Sequence, residues 1–349
     1  MKNIFTTIFI GFSLMFNIGC TDDRRTLSFY TWDDYIDPEL ITEFEQENNC
    51  RVVINVFDSN ESMYAKLLFS REGYDVILPS SYQIVMMKNN DMLEKLDYSL
   101  LPNVTANFDC KYNNLLMPEI AGYSVPYAFS MTSIAYRTDK IKNPITSWRD
   151  IQKLKLTDSI CLFSDIREIF GASLKCLGYS INSTNENELL QALELAKQWK
   201  KITIKFDNEA WKTGIASGEF NVVMAYNSDI FQIINDSTDK SKIKFSIMNE
   251  GIVSCFDEFV IVKESKNKDL AYKFIDFMYR PEIAKRNIEY IIAVMPNKTA
   301  VDLLPDEMKN NELIVPSTNM LNKCEIINCL DENVHKMYVK MWDELKATK

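Results

Sequence analysis

The sequence predicts an α/β protein of two domains. Three observations carry that expectation. The chain has 349 residues, 46% of them hydrophobic, and single cores stop growing near ~250–300 residues. Short apolar runs alternate with segments of helical period along most of its length. The runs are short enough to be strands buried on both faces, as in sheets covered by helices.

The elements follow in order. Residues 27–32 read as a strand. Pro38 opens a helix, where its fixed φ is already helical, and Leu40, Ile41 and Phe44 share one face of it. Residues 52–57 read as a strand and 61–69 as a helix. The strand 74–79 stops at Pro79, and Ser80-Ser81 offers cap hydroxyls to the next helix. A second series begins with a strand at 159–163. The helix 166–177 is closed by Gly178. Helices at 186–200 and 209–217 follow, then strands at 221–225, 243–247 and 259–262. Residues 268–279 are amphipathic, and Pro281 starts a further helix through Asn287. In the tail, 332–345 carries Val334, Tyr338, Met341, Trp342 and Leu345 on one stripe. There is no internal repeat and no low-complexity linker, so two domains need structured crossovers between them.

The first residues read as a targeting segment. Lys2 supplies the positive end, and 4–18 form an apolar stretch too short and too poorly flanked to span a membrane. Asn17-Ile18-Gly19-Cys20 then meets the polar run Thr21-Asp22-Asp23-Arg24-Arg25. This resembles a bacterial lipoprotein signal, which implies cleavage after residue 19, a lipid on Cys20 and a tether at 20–25. Of the eight cysteines, the remaining ones match no zinc spacing. Cys161 and Cys176 read as core residues. Cys324 and Cys329 are near enough in sequence to bridge or to stay free.

Charge and composition exclude several functions. The net charge is −10, which repels nucleic-acid phosphates and disfavours them as partners. Nine glycines leave little material for a phosphate-cradling loop, and the one histidine, His335, removes most histidine catalysis and metal binding. No hydrolase, metalloprotease or nucleotide-binding motif occurs. His335 reads as a helix-surface residue. Adjacent carboxylates such as Asp33-Asp34 are common in a chain with 49 acidic residues and carry little weight.

Aromatic and acidic residues do coincide beside the strands. Trp32-Asp33-Asp34-Tyr35, Ser80-Ser81-Tyr82, Asp165-Ile166-Arg167-Glu168 and Tyr226-Asn227-Ser228-Asp229 each follow one. Cys255-Phe256-Asp257-Glu258 precedes another. Ligands of open α/β sheets bind outside the carboxyl ends of strands, so the first four stretches suit one shared site.

Leu27-Ser28-Phe29-Tyr30 through Tyr35, residues 57–67 (Phe57-Asp58-Ser59-Asn60-Glu61 onward), Tyr74-Asp75-Val76-Ile77-Leu78-Pro79 through Tyr82, Asp165-Ile166-Arg167-Glu168 through Phe170, Glu250-Gly251 through Asp257, and Tyr279-Arg280-Pro281-Glu282 through Ala284 resemble the spermidine/putrescine-binding proteins of bacterial ABC importers. The likeness spans about residues 26–348. It implies the two-lobed periplasmic-binding-protein fold of type II, with a ligand cleft between lobes. Lobe 1 would hold 26–130 and 259–303, and lobe 2 would hold 131–258 and 304–349. It further implies a monomeric, non-enzymatic protein without cofactor or metal. A polyamine would be its ligand, inner-membrane permease subunits its partners, and the cell envelope its place, held there by the lipid on Cys20.

The residue roles implied by the resemblance suit polyamine chemistry. Each ammonium needs an acceptor once water is excluded, and the methylenes need flat walls, which aromatic rings supply while attracting the charge. Trp32, Tyr35, Tyr82 and Tyr226 would be walls. Asp34, Asp165, Glu168 and Asp257 would be acceptors, with Ser80 a polar contact. Three positions depart from spermidine-binding members: Cys255 replaces a tryptophan, Ala293 a tyrosine and Asn328 a glutamine. Asp229 instead resembles putrescine-selective members and would add an acceptor. The polyamine preferred stays open. A same-fold protein for another solute, a carboxylate hydrolase and an adhesive lipoprotein are the competing readings.

Overall fold

The structure is a computed structural model that describes residues 23–70 and 72–348. The expected signal segment and Cys20 lie outside the described residues. Among the described residues, ten strands form one sheet. They are β1 (Arg25–Thr31), β2 (Cys50–Val56), β3 (Val76–Ile77), β4 (Val125–Arg137), β5 (Ile160–Leu162), β6 (Thr203–Phe206), β7 (Val222–Tyr226), β8 (Ile243–Phe245), β9 (Ile252–Ile261) and β10 (Cys324–Ile326). Their order is β2-β1-β3-β9-β4-β7-β5-β6, with β10 beside β9 and β8 beside β4.

At one end β1 lies parallel between β2 and β3, with Phe29 opposite Ile54 and Val76. At the other, β5 lies parallel between β6 and β7. These parallel groups need crossover helices, and the helices cover the sheet. Asp37 caps Pro38–Asn48, which buries Leu40, Ile41 and Phe44. Asp165 caps Ile166–Leu177, which ends at Gly178 with φ 86°. Only a residue without Cβ takes that left-handed conformation at no steric cost.

The two groups are joined by two long strands. The 13-residue β4 runs antiparallel to β9, from Val125 opposite Phe259 to Thr132 opposite Val253. Beyond that, β4 pairs with β7 and β8 instead. The buried apolar residues divide accordingly. One large cluster takes residues within 27–131 and 252–326, with Phe231. The other takes residues within 134–248 and 334–345. Met131 belongs to the first and Ile134 to the second, so the chain changes lobes inside β4. It returns between Met248 and Ile252.

That division differs from the sequence expectation at the second crossing. Ile252 and Phe256, and then Leu304, Ile314, Met320, Leu321 and Ile326, pack in the first cluster. The final helix, Glu332–Ala347, packs on the second through Val334, Tyr338, Met341 and Leu345, with the half-buried Leu313 and Leu330 beside it. The strand expected at 259–262 begins seven residues earlier, and β4 had no counterpart in the sequence reading. The described cysteines are all free, Cys324 and Cys329 included. No helix of the described residues is long and apolar enough to cross a membrane.

Candidate ligand-binding site

The site begins at Asp257 on β9. An antiparallel bridge sets Ser80 opposite it, and Glu258 N donates to the Pro79 carbonyl at 3.0 Å. Ser80 Oγ donates to Asp257 Oδ1 at 2.7 Å, and the Tyr35 hydroxyl donates to Oδ2 at 2.9 Å. The Trp32 indole N–H lies close enough to favour the charge as well, without reaching hydrogen-bond geometry. Burial outweighs these donors and raises the carboxyl to about 6. No ion pair reaches Asp257 among the described residues. It is therefore held by hydroxyls, which orient a carboxylate without neutralising it.

The donors are fixed in turn. Asn60, 4% exposed, gives its amide N–H groups to Ser80 Oγ at 3.0 Å and the Tyr82 hydroxyl at 2.9 Å. Its Oδ1 accepts from Ser80 N at 3.1 Å. The carbonyl of Tyr35 accepts from the Tyr127 hydroxyl, which itself accepts from Asn287 Nδ2 at 2.7 Å. The Tyr35 and Tyr127 rings stand 5.6 Å apart, and Trp32 packs on Phe57 at 4.5 Å. Asn60, Tyr127 and Asn287 escaped the sequence reading. Asn60 lay inside the recognised stretch 57–67, and its place at the first position of a helix was the one available signal.

The second lobe supplies the opposite wall. Asp165 Oδ1 accepts from the backbone N–H of Arg167 at 2.7 Å and of Glu168 at 3.0 Å. Glu168 is 6% exposed. Its Oε1 accepts from Thr132 Oγ1 at 3.1 Å, while Oε2 is buried with no protein partner. Burial first, and the Asp165 charge second, push this carboxyl up to about 8. Tyr226 ends β7, with its ring 4.7 Å from Phe163.

The two walls sense each other. The Tyr226 hydroxyl is held far above its usual range by burial, then by Glu168, Asp165 and Tyr82. Tyr82 is shifted likewise by burial and by Glu61 and Asp165. Cys255 is half-buried between them. Burial raises its thiol, and the charges of Asp257 and Glu168 add to that rise. Trp32, Tyr35, Ser80, Tyr82, Asp165, Glu168, Tyr226 and Asp257 thus lie together where the two lobes meet.

Two predicted acceptors stand differently. Asp229 is already paired, its Oδ2 3.4 Å from Lys212 Nζ. Asp34 is exposed at φ 51° and accepts from the Tyr290 hydroxyl at 2.5 Å. Ala293 is buried, while Asn328 is exposed and its carbonyl accepts from Arg167 at 2.7 Å. His335 is on the exposed face of its helix. No cluster suited to a metal ion occurs among the described residues. Chemically, the cleft offers buried carboxylates without counter-ions between aromatic rings. Ammonium groups joined by apolar stems answer both features.

Residues 39–316 match the family described as bacterial extracellular solute-binding protein. The chain belongs to that family. This solute-binding protein is 33% identical to the spermidine/putrescine-binding periplasmic protein of Salmonella typhimurium, over 93% of its own chain and 92% of the relative. A solved structure of the spermidine/putrescine ABC transporter substrate-binding protein PotD from Streptococcus pneumoniae superposes with a TM-score of 0.83 at 30% identity, covering 92% and 98% of the two chains. The Tp0655 (TpPotD) lipoprotein of Treponema pallidum gives 0.81 at 27% identity, covering 92% and 99%. Two α/β lobes bridged by long strands are thus the fold of an ABC-importer binding protein.

Proposed function

We propose that this protein binds a polyamine in the cleft between its lobes and delivers it to the permease of an ABC importer. The observation that carries the reading is Glu168 Oε2, a buried carboxylate oxygen with no protein partner, facing a wall whose own carboxylate has only hydroxyl donors. Ionising such a carboxyl costs several kcal/mol until a cation reaches it, so the site is built to be charged only when its ligand brings the counter-charge. A sugar offers neither carboxyl a counter-charge, and the single ammonium of a zwitterion answers only one of the two. The names of the relatives support the same ligand class.

In this reading Asp257 holds one ammonium, and Glu168 with Asp165 holds another. Trp32, Tyr35, Tyr82 and Tyr226 enclose the methylenes, and Ser80 orients Asp257. The protein works as a monomer without catalysis, in the cell envelope, anchored by a lipid on Cys20. Calorimetry with putrescine, cadaverine, spermidine and spermine tests the ligand class, with a neutral sugar and a neutral amino acid as controls. Binding of at least one polyamine and of neither control is expected. Binding of a control and of no polyamine would overturn the reading.

A further inference from the structure

Among the cleft carboxylates, Asp229 has a resident cation. It sits in the first turn of the helix Asn227–Asp236, directly after Tyr226. Lys212, on the helix Ala210–Ser217, places Nζ 3.4 Å from Asp229 Oδ2 and 3.1 Å from Glu209 Oε2. Both partners of the inner pair are half-buried, with side chains 38% and 31% exposed. The pair adjoins the aromatic wall: the Phe163 ring lies 6.1 Å from Trp211 and 4.7 Å from Tyr226. Asp229 is close enough for its charge to act on the Tyr226 hydroxyl. Burial raises the Asp229 carboxyl while Lys212 pulls it back down. By contrast, Asp257 and Glu168 carry hydroxyl partners alone.

We propose that Lys212 is a specificity-determining residue: its ammonium occupies Asp229 as a built-in competitor, so a ligand nitrogen gains that carboxylate only by displacing Lys212. The inference rests on the polyamine reading and refines it. The acceptor that the sequence adds at Asp229 is withdrawn by a lysine of the same chain. The cleft then presents two anchoring points, Asp257 and the Asp165–Glu168 pair. Ligand preference is set by the reach between those two points and not by Asp229. Because Lys212 also has Glu209 as a partner, it has a place to go if displaced. Competition is therefore partial, and removing the lysine makes the third acceptor available.

The test is a double-mutant cycle read by calorimetry with putrescine and with spermidine at fixed ionic strength. Lys212→Met is expected to tighten at least one of them by about fivefold or more. Asp229→Asn alone should change affinity by less than about twofold, and in the Lys212→Met background it should abolish the gain. Lys212→Arg should behave as the unmodified protein. Lys346→Met, at a surface lysine of the final helix, controls for net charge and should change little. Thermal melts check that every variant is folded.

Two results overturn the proposal while leaving polyamine binding intact. One is a similar loss from Asp229→Asn in both backgrounds, which would mean that Asp229 grips the ligand despite Lys212. The other is no tightening in Lys212→Met. Absence of polyamine binding in the unmodified protein and in all variants would overturn the ligand class itself, and this inference with it.

Discussion

Asp257 Oδ2 accepts a 2.9 Å hydrogen bond from the hydroxyl of Tyr35, 222 residues away in sequence. The phenol holds the carboxylate in place but brings no positive charge. Burial and the charge of Asp257 keep the Tyr35 hydroxyl far above its usual range, so it stays a neutral donor. Ser80 does the same for the other oxygen. The result is an oriented carboxylate with no counter-ion among the described residues.

Removing that charge should remove much of the affinity. In Asp257→Asn one ligand ammonium is buried without its counter-charge, at a cost of roughly 2–5 kcal/mol, or about 30-fold or more in Kd. Asp33→Asn, at an exposed neighbour of the site, should change affinity less than about threefold. Equal losses at the two positions in calorimetric titrations would remove the role assigned to Asp257.

Binding should expel a proton. The Glu168 carboxyl stands at about 8, so near pH 7 it is mostly protonated in the free protein, and an arriving ammonium favours its ionised form. The enthalpy of binding measured at pH 7 should therefore vary with the ionisation enthalpy of the buffer, giving release of on the order of one proton per ligand. Affinity should weaken as pH falls below 8. Stability has the opposite sign. A carboxyl raised from 4.5 to about 8 lends stability below its unfolded value, and loses it as pH rises through 8. Glu168→Gln should accordingly make the free protein melt higher near pH 8 than the unmodified chain does. An enthalpy unchanged across buffers would show that Glu168 is already ionised.

Ligand length should respond to Cys255. Its small side chain stands between Asp257 and Glu168, where an aromatic ring would widen the wall. An aromatic contact of this kind is worth about 0.5–2 kcal/mol. Cys255→Trp should shift the ratio of spermidine to putrescine affinity toward spermidine by roughly 2- to 30-fold. A ratio that stays put, with both ligands still bound, would mean that the methylenes run elsewhere.

Stability of the second lobe should depend on Gly214. A Cβ there would meet the Phe220 ring at 2.1 Å, and Phe220 is itself buried. Alanine gains about 1 kcal/mol of helix propensity, but overpacking a buried ring costs typically ~1–3 kcal/mol or more. Gly214→Ala should lower the denaturation midpoint, and Phe220→Leu in the same chain should restore part of it. A higher midpoint for the single variant would show that the ring swings aside freely.

The anchor is a matter of partitioning. Cys20→Ala should move the protein from the membrane fraction to the soluble fraction and end its labelling by a fatty-acid analogue. A variant that still sediments with membranes would exclude a lipid on Cys20 as the anchor.

The local elements and the chemical character of the site can be read along the chain. Helix period, proline starts and caps act within a few residues, which is why 166–177 could be read to its ends, with Asp165 before it and Gly178 after it. The aromatic and acidic residues at strand ends were legible for the same reason. How the lobes are joined depends on contacts between distant segments. In β4, Pro126 and small hydroxyl residues blur any period. In β9, Asp257 and Glu258 look like loop residues until their partners are seen. Glu258 is buried because Ser81 and Ser124 each donate to it at 2.6 Å. The tertiary structure also brought Asn60 to Ser80, Thr132 to Glu168 and Lys212 to Asp229. These are pairings between distant segments, set by packing and desolvation. A carboxylate's partner, unlike a helix's cap, leaves no mark at a fixed spacing in the chain.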